Sequence, residues 1–234
     1  MSYKRRCDGR GWDEIRPTEA KAGIIPNADG SAYFRMGNTA AYCAVYGPRE
    51  LFPKFLQNPK TGIIRCHYNM LPFSGMGERI RPGGNRRAQE ISLVMEKALS
   101  AVVDLSDFPN AVVDIYTDLP ETDAGSRCVA INAAAMALAD AGIPMKDMVS
   151  ALAVGRVDDK IVVDLCYEEE AYEGGPVADI PIAVVHNTQE IALLQMDGEI
   201  SKEELIRAIE MGRKAMEQVY EIQKKALKEK YQDA

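Results

Sequence analysis

The chain has 234 residues, of which 47% are apolar and 27% charged, and its formal net charge is −7. This is the balance of a globular protein with a sizeable core and carries no signature of disorder. No stretch approaches 18 uninterrupted apolar residues, so a membrane span and a membrane partner are not expected. Met1-Ser-Tyr-Lys-Arg-Arg6 lacks the apolar segment of a secretory signal, so a cytoplasmic location is expected.

The first elements have hairpin chemistry. Asn27-Ala-Asp-Gly30 is a turn signal, and Ser31–Met36 and Thr39–Tyr46 read as strands around the turn Gly37-Asn38. Gly47-Pro48 is expected to end the second strand. Residues 50–61 read as a surface loop, Ile63–Met70 as a strand, and Pro72–Asn85 as an irregular Gly/Pro/Arg loop. Asn85 is a suitable N-cap for a helix whose apolar face carries Ile91, Val94, Met95, Ala98, Leu99 and Val102. Ala111–Tyr116 reads as a buried strand. An alanine-rich helix over Cys128–Ala141 follows, stopped by Gly142 and Pro144. Strands are expected at 149–157, 161–166, 180–185 and 190–196. Ser201 should cap a last helix buried along Leu205, Ile209, Met216, Val219 and Leu227. Strands and helices mix without strict βαβ alternation. The expected class is α+β, a mixed β-sheet packed by helices in a single domain, with residues 1–15 as an N-terminal extension and 201–231 as a C-terminal helix.

Five isolated cysteines (Cys7, Cys43, Cys66, Cys128, Cys166) with no CxxC pair argue against a disulfide framework or a zinc site, and read as structural thiols. Two histidines, His67 and His186, exclude a histidine-rich metal centre. Negative net charge does not suggest a nucleic-acid binder, but its distribution is uneven. Lys4, Arg5, Arg6, Arg10 and Arg16 crowd the start, and Arg65, Arg79, Arg81, Arg86 and Arg87 a second stretch. Glu168-Glu169-Glu170 and the last helix collect acid. Either a basic groove on an acidic body or two solvated charged loops fits this pattern.

Three places offer chemistry. Asp123-Ala-Gly-Ser-Arg127 stands before the alanine-rich helix, where free N–H groups, a hydroxyl and a fork-shaped cation would suit a phosphate; a plain capping turn has the same appearance. Arg86 and Arg87 open the other helix, where cations oppose the dipole, so an anionic ligand would resolve the conflict; water or Glu90 would be the ordinary partners. Asp179 starts a strand after a glycine-rich acidic loop. It could donate a proton or bind magnesium, or simply end a turn. His67 and Tyr68 could stack on bases, or pack as ordinary strand aromatics.

Asp8-Gly-Arg10, Ala28-Asp-Gly-Ser-Ala32, Gly37-Asn-Thr39, Val45-Tyr-Gly-Pro48, Tyr68-Asn-Met-Leu-Pro-Phe-Ser74, Asp140-Ala-Gly-Ile-Pro-Met145 and Leu194-Gln-Met-Asp-Gly198 occur in order along the chain. Together they resemble the RNase PH family, and within it the catalytic ring subunits of archaeal exosomes. The resemblance runs from about residue 7 to the C-terminal helix. It implies an RNase PH-like fold and phosphate-dependent 3′-to-5′ degradation of single-stranded RNA to nucleoside diphosphates, with reverse polymerisation. It also implies a hexameric ring alternating with a second RNase PH-type subunit, under RNA-binding cap proteins. By the same resemblance Gly125, Ser126 and Arg127 would hold inorganic phosphate as co-substrate, and Arg86 and Arg87 the RNA phosphates. Arg65 would line the pore neck and Tyr68 stack on a terminal base. Asp179 would be the catalytic carboxylate, as proton donor or magnesium ligand.

Two departures from the family pattern stand out. Ala124 occupies a position that is usually glycine, which is tolerable unless its backbone needs a positive φ. The family's second Asp, shortly before the one matched by Asp179, is missing from a slightly longer loop; Glu170 or Glu173 would take its role, as a metal ligand or otherwise. A non-catalytic RNA-binding ring subunit and a homohexameric enzyme trimming tRNA 3′ ends are the alternatives. Retention of Gly125-Ser-Arg127, Arg86-Arg87 and Asp179 weighs against the first, and the long last helix and the Leu-Pro-Phe-Ser stretch against the second.

Overall fold

The computed structural model describes residues 3–76 and 85–232. Arg79 and Arg81 of the arginine-bearing loop lie outside the described residues. In chain order come β1 (Thr18–Ala22), β2 (Gly30–Met36), β3 (Thr39–Glu50), β4 (Ile63–Met70), α1 (Arg86–Ser100), β5 (Ala111–Glu121) and α2 (Ser126–Asp140). Then follow β6 (Val149–Val157), β7 (Lys160–Val163), α3 (Tyr167–Glu170), β8 (Val177–Val185), β9 (Ile191–Leu194), β10 (Asp197–Gly198) and α4 (Lys202–Gln232). The fold is α+β, but the strands form two sheets rather than one. The first has the order β1-β2-β3-β5-β4, with β4 and β5 parallel; the second is antiparallel, β10-β8-β6-β7 with β9 on β8.

The division into two sheets follows from α2. Its residues are apolar on every side, so it has no face to offer water. It is buried nearly throughout and packs against β2 and β3 on one side and β6 on the other. Its alanines permit close approach: a Cβ on Gly30 would lie 2.2 Å from the Ala141 nitrogen. The buried Asn132 side chain satisfies both backbone groups of Ala151 (2.8 and 2.7 Å), fixing α2 against β6.

Several boundaries differ from expectation. β3 continues through Gly47-Pro48 to Glu50, because a shift of register between Tyr46 and Arg49 takes up the proline and pairing with β5 resumes. β1 and α3 were not expected. On α4 the buried line is Ala208, Gly212, Ala215, Met216, Val219, Gln223 and Ala226, with Leu205, Ile209 and Leu227 half-buried on its flanks. Small residues sit at the centre because the helix crosses β6 closely. Asn85 caps α1 through Ala88 N–H (2.7 Å), and Ser201 and Glu204 cap α4 reciprocally (3.3 and 3.0 Å). β4 is an edge strand whose outward N–H groups at Cys66 and Tyr68 are taken by Glu96 and Ser92 of α1 (2.9 and 3.0 Å).

Candidate active site

β5 hands the chain to α2 through a tight loop. Ala124 and Gly125 are both left-handed, at φ 59° and 62°. For alanine this conformation costs about 1–2 kcal/mol, so the departure from glycine at 124 does carry strain. Thr39, the first residue of β3, holds the loop from below: its Oγ1 accepts from Asp123 N–H (2.8 Å) and donates to the Ala124 carbonyl (2.7 Å). Arg16 donates to the Asp123 carbonyl, and its Nη2 lies 3.3 Å from where a Cβ on Gly125 would sit. Beyond Gly125 the helix begins. Among the described residues the N–H groups of Gly125, Ser126 and Arg127 donate to no carbonyl or side chain. Such a row of free donors at a helix start favours an anion.

The two helix starts meet over one cavity. A space of about 230 Å³ is lined by Arg87 of α1, Gly125, Ser126 and Arg127 of α2, Glu170 of α3 and Asp179 of β8. An adjoining cavity shares Arg87, Arg127, Glu170 and Asp179 and reaches Gln195 and Asp197. Arg86 stands one residue from Arg87, exposed and outside this lining. Among the described residues neither Arg86 nor Arg87 has an ion-pair partner. Glu90, the expected ordinary partner, instead accepts from Gln195 (2.9 Å) and lies 3.7 Å from Arg127.

The carboxylates are perturbed by their surroundings. Burial raises Asp179 to about 6; Arg127 and Arg87 work against that rise and Asp197, its cross-strand neighbour, adds to it. Burial likewise raises Glu170 to about 7, helped by the charge on Asp179 and opposed by Arg87, Arg16 and Arg127. Asp179 Oδ1 is buried and has no hydrogen-bond partner among the described residues. Two acids of differing proton affinity beside cations can donate a proton, or as hard oxygen donors hold a divalent cation. Of the two glutamates left open by the sequence, Glu170 lines the cavity, whereas Glu173 is exposed and outside it. Four-residue α3 makes the difference: it turns Glu170 inward, while Glu169 turns to Arg6 (2.8 Å) and accepts from Cys166 N–H (3.1 Å).

Other expectations meet the structure differently. The Tyr68 ring is 5% exposed and belongs to the core, so it has no free face for a base. Strand alternation explains this: on β4 it is His67 that faces outward, stacked on Tyr116 at 4.6 Å. Arg65 and Arg49 both grip the fully buried Asp114, so the charge of Arg65 is partly balanced within the chain. The N-terminal basic cluster is no groove. Arg6 is buried against Glu169, Arg16 against Asp164 (2.7 Å), and Arg10 pairs with Asp8. Cys7 and Cys166, 159 positions apart, bring their sulfurs to 2.8 Å. Both Glu169 oxygens beside them are committed to Arg6.

Sequence reasoning passed over Thr39, Arg16 and Asp197 as site elements. The strings Gly37-Asn-Thr39 and Leu194-Gln-Met-Asp-Gly198 contained two of them, but only the register shows what they face.

The family model described as 3′ exoribonuclease family, domain 1, matches residues 14–144, and its domain 2 matches residues 147–215. The exosome complex component Rrp41 of Thermococcus gammatolerans is 47% identical over 227 residues, covering 97% of this chain and 90% of its own length. That of Methanopyrus kandleri is 45% identical, covering 97% and 93%. Among solved structures, rice Rrp46 superposes with a TM-score of 0.82 at 24% identity, covering 95% of this chain and all of its own. A chain of the Archaeoglobus fulgidus exosome with RNA bound to the active site gives 0.77 at 22%, covering 93% and 92%; at such identities the likeness speaks for the fold. From the family models and the full-length likeness to its archaeal relatives, the chain belongs to the RNase PH family of 3′ exoribonucleases.

Proposed function

We propose that this chain is the catalytic subunit of an archaeal exosome ring and shortens single-stranded RNA from its 3′ end by phosphorolysis. The observation that carries the reading is the single cavity in which Arg87, Arg127 and the Gly125-Ser126 turn face Asp179 and Glu170. An oxygen of inorganic phosphate attacks the terminal phosphodiester phosphorus, the bond to the 3′ oxygen breaks, and that oxygen leaves with a proton. The product is a nucleoside diphosphate. One phosphorus–oxygen linkage replaces another, so 3′ extension from nucleoside diphosphates is the reverse reaction. Two anions must be brought together, and positive charge with preorganised donors offsets their repulsion.

In this reading Gly125, Ser126 and Arg127 hold inorganic phosphate, and Arg87, with Arg86 at its edge, holds the RNA phosphates. Asp179 and Glu170 serve the leaving oxygen, one of them as proton donor. The buried, unpartnered Asp179 oxygen and the raised Glu170 also fit a magnesium ion, which would supply further positive charge when bound. The relatives are components of the exosome complex by name. This supports a second RNase PH-type subunit alternating with this one in a hexameric ring, RNA-binding cap proteins above it, and Arg65 at the pore neck. One core shared by both sheets supports treating residues 1–234 as one domain. No helix among the described residues is long and apolar enough to cross a membrane, and a cytoplasmic site of action fits RNA as substrate.

The test mixes the chain with its ring partner, poly(A) and magnesium, with and without inorganic phosphate. ADP that forms only with phosphate and disappears in Asp179→Ala is the expected result. AMP formed regardless of phosphate would mean hydrolysis and sink the reading. RNA binding with no release would identify a non-catalytic ring subunit. Turnover by a stable homohexamer of this chain alone would instead indicate the tRNA-trimming type.

A further inference from the structure

We propose that Thr39 and Arg16 are positioning residues for the reaction: they hold Ala124 and Gly125 in the left-handed conformation that presents the α2 N-terminus to phosphate. The proposal rests on the phosphate-site reading of Gly125-Ser126-Arg127 and goes beyond it, since neither side chain lines the cavity with those residues.

Two successive left-handed residues are unusual, and one of them is an alanine. An isolated loop of this sequence would leave that conformation, because L side chains disfavour it. Something must over-determine it. Thr39 is fully buried, and its hydroxyl makes the two bonds that bracket the strained residue, from Asp123 N–H on one side and to the Ala124 carbonyl on the other. Arg16 is 4% exposed. Its Nε and Nη2 grip Asp164 at 3.0 and 2.7 Å, which leaves Nη1 aimed at the Asp123 carbonyl. A buried fork with two prongs fixed by a carboxylate is a rigid prop, and the third prong therefore locates the loop. The Asp123 carboxylate is fixed as well, accepting from Tyr167 N–H at 2.9 Å. That bond joins the anion loop to the first residue of α3, the helix carrying Glu170. Phosphate site and acid are thus set relative to one another through Asp123.

A successive run of N–H groups in a turn makes an anion-binding concavity only while its backbone angles are kept. Loss of the Thr39 hydroxyl removes both hydrogen bonds that bracket Ala124 and frees the loop to leave the left-handed conformation. The loss should fall on phosphate binding, because the RNA-facing Arg87 belongs to another helix.

The experiment measures phosphorolysis of poly(A) by the assembled ring, with KM for inorganic phosphate and KM for RNA determined separately. Thr39→Val is expected to raise the phosphate KM about tenfold with the RNA KM within about twofold. Thr39→Ser, which keeps the hydroxyl, should restore the phosphate KM to within about threefold. Arg16→Lys, which loses the fork, should act in the same direction as Thr39→Val. In an Ala124→Gly background the dependence on Thr39 should shrink to less than about threefold, because glycine enters the left-handed region without cost. A phosphate KM unchanged in Thr39→Val, an equal rise in the RNA KM, or an undiminished effect in the glycine background would each overturn the proposal. Arg127→Ala is the control on the site. If it leaves the phosphate KM unchanged, the phosphate-site reading fails and this proposal fails with it. If it raises that KM while Thr39→Val does not, only the positioning role fails.

Discussion

Glu170→Gln is expected to make the protein more stable at alkaline pH while crippling it as an enzyme. Burial and the neighbouring Asp179 raise this acid from 4.5 to about 7. Its folded form therefore binds a proton more tightly than its unfolded form. The sign follows from linkage: below the unfolded value of about 4.5 both forms are protonated and the shift costs nothing. As pH rises through 7 the folded protein must carry a buried charge that the unfolded chain carries in water. At about 1.4 kcal/mol per tenfold change in proton affinity, the full penalty is about 3 kcal/mol at pH 8. At pH 5 it is under about 1 kcal/mol, because the folded carboxyl is still protonated. Glutamine keeps the shape without the charge. It should raise the melting temperature by about 5 °C at pH 8 and by about 1 °C at pH 5, taking roughly 2–4 °C per kcal/mol for a chain of this size and a partial relaxation of the site. Thermal unfolding followed by circular dichroism, without phosphate or divalent cations, reads the effect. A melting temperature lowered at pH 8, or a gain that does not diminish toward pH 5, would refute the account of Glu170 as an acid held against its preference. The same variant should lose about 100-fold or more in phosphorolysis rate if Glu170 serves the leaving oxygen.

Two further outcomes follow from the geometry. If Arg87 neutralises an RNA phosphate, Arg87→Ala should weaken RNA binding and flatten the slope of log affinity against log salt by about 0.7, as one contact fewer on a single strand; an unchanged slope in fluorescence anisotropy titrations would remove Arg87 from the RNA path. Cys7 is exposed and Cys166 buried with their sulfurs 2.8 Å apart, inside contact distance and short of a bond. Diamide, itself reduced by the two hydrogens it takes up, should link them into a disulfide. A mass lower by two hydrogens and a joined Cys7–Cys166 peptide in a non-reducing digest would show it, and two free thiols after treatment would contradict it.

The parts of the fold legible in the sequence were those governed by local chemistry. Asn85 reads as an N-cap and is one, Ile63–Met70 and Val149–Val157 read as strands and are strands, and Gly142 ends α2 where a left-handed residue is needed. Unread were the features that depend on partners distant in sequence. The alanine-rich helix signalled close packing but not that it would lie between two sheets. The early arginines looked like a basic patch, because their acids stand some 150 residues later at Asp164 and Glu169. Tyr68 and His67 are adjacent and chemically alike as stacking candidates, and only the burial of one face of β4 separates them. The choice between Glu170 and Glu173 turned on four residues of helix, too short for periodicity to reveal. By contrast Gly125, Ser126, Arg127 and Asp179 were recognisable singly, and the structure brings them to one cavity with Arg87.

The site also holds an electrostatic conflict that its ligands would resolve. Arg86 and Arg87 sit in the first turn of α1 and Arg127 in that of α2, where each cation opposes the helix dipole by about 0.3–1 kcal/mol. Facing them, Asp179 and Glu170 are held in surroundings that disfavour their charge. Simple neutralisation would have paired these groups directly, as Arg6 is paired with Glu169 and Arg16 with Asp164. Among the described residues no ion pair joins Arg87 or Arg127 to either acid. The nearby pairs show that the fold can saturate an arginine with a carboxylate where the arginine's task is to hold the scaffold. Arg87 has no ion-pair partner among the described residues, and the acids beside it, raised to about 6 and 7, hold a proton more tightly than free carboxyls do; on the proposed reading an incoming phosphate would relieve the repulsion at the helix starts. On the proposed reading a chain with net charge −7 would still bind a polyanion, because acids such as Glu169 and Asp164 are already paired with scaffold arginines and Arg87 is not.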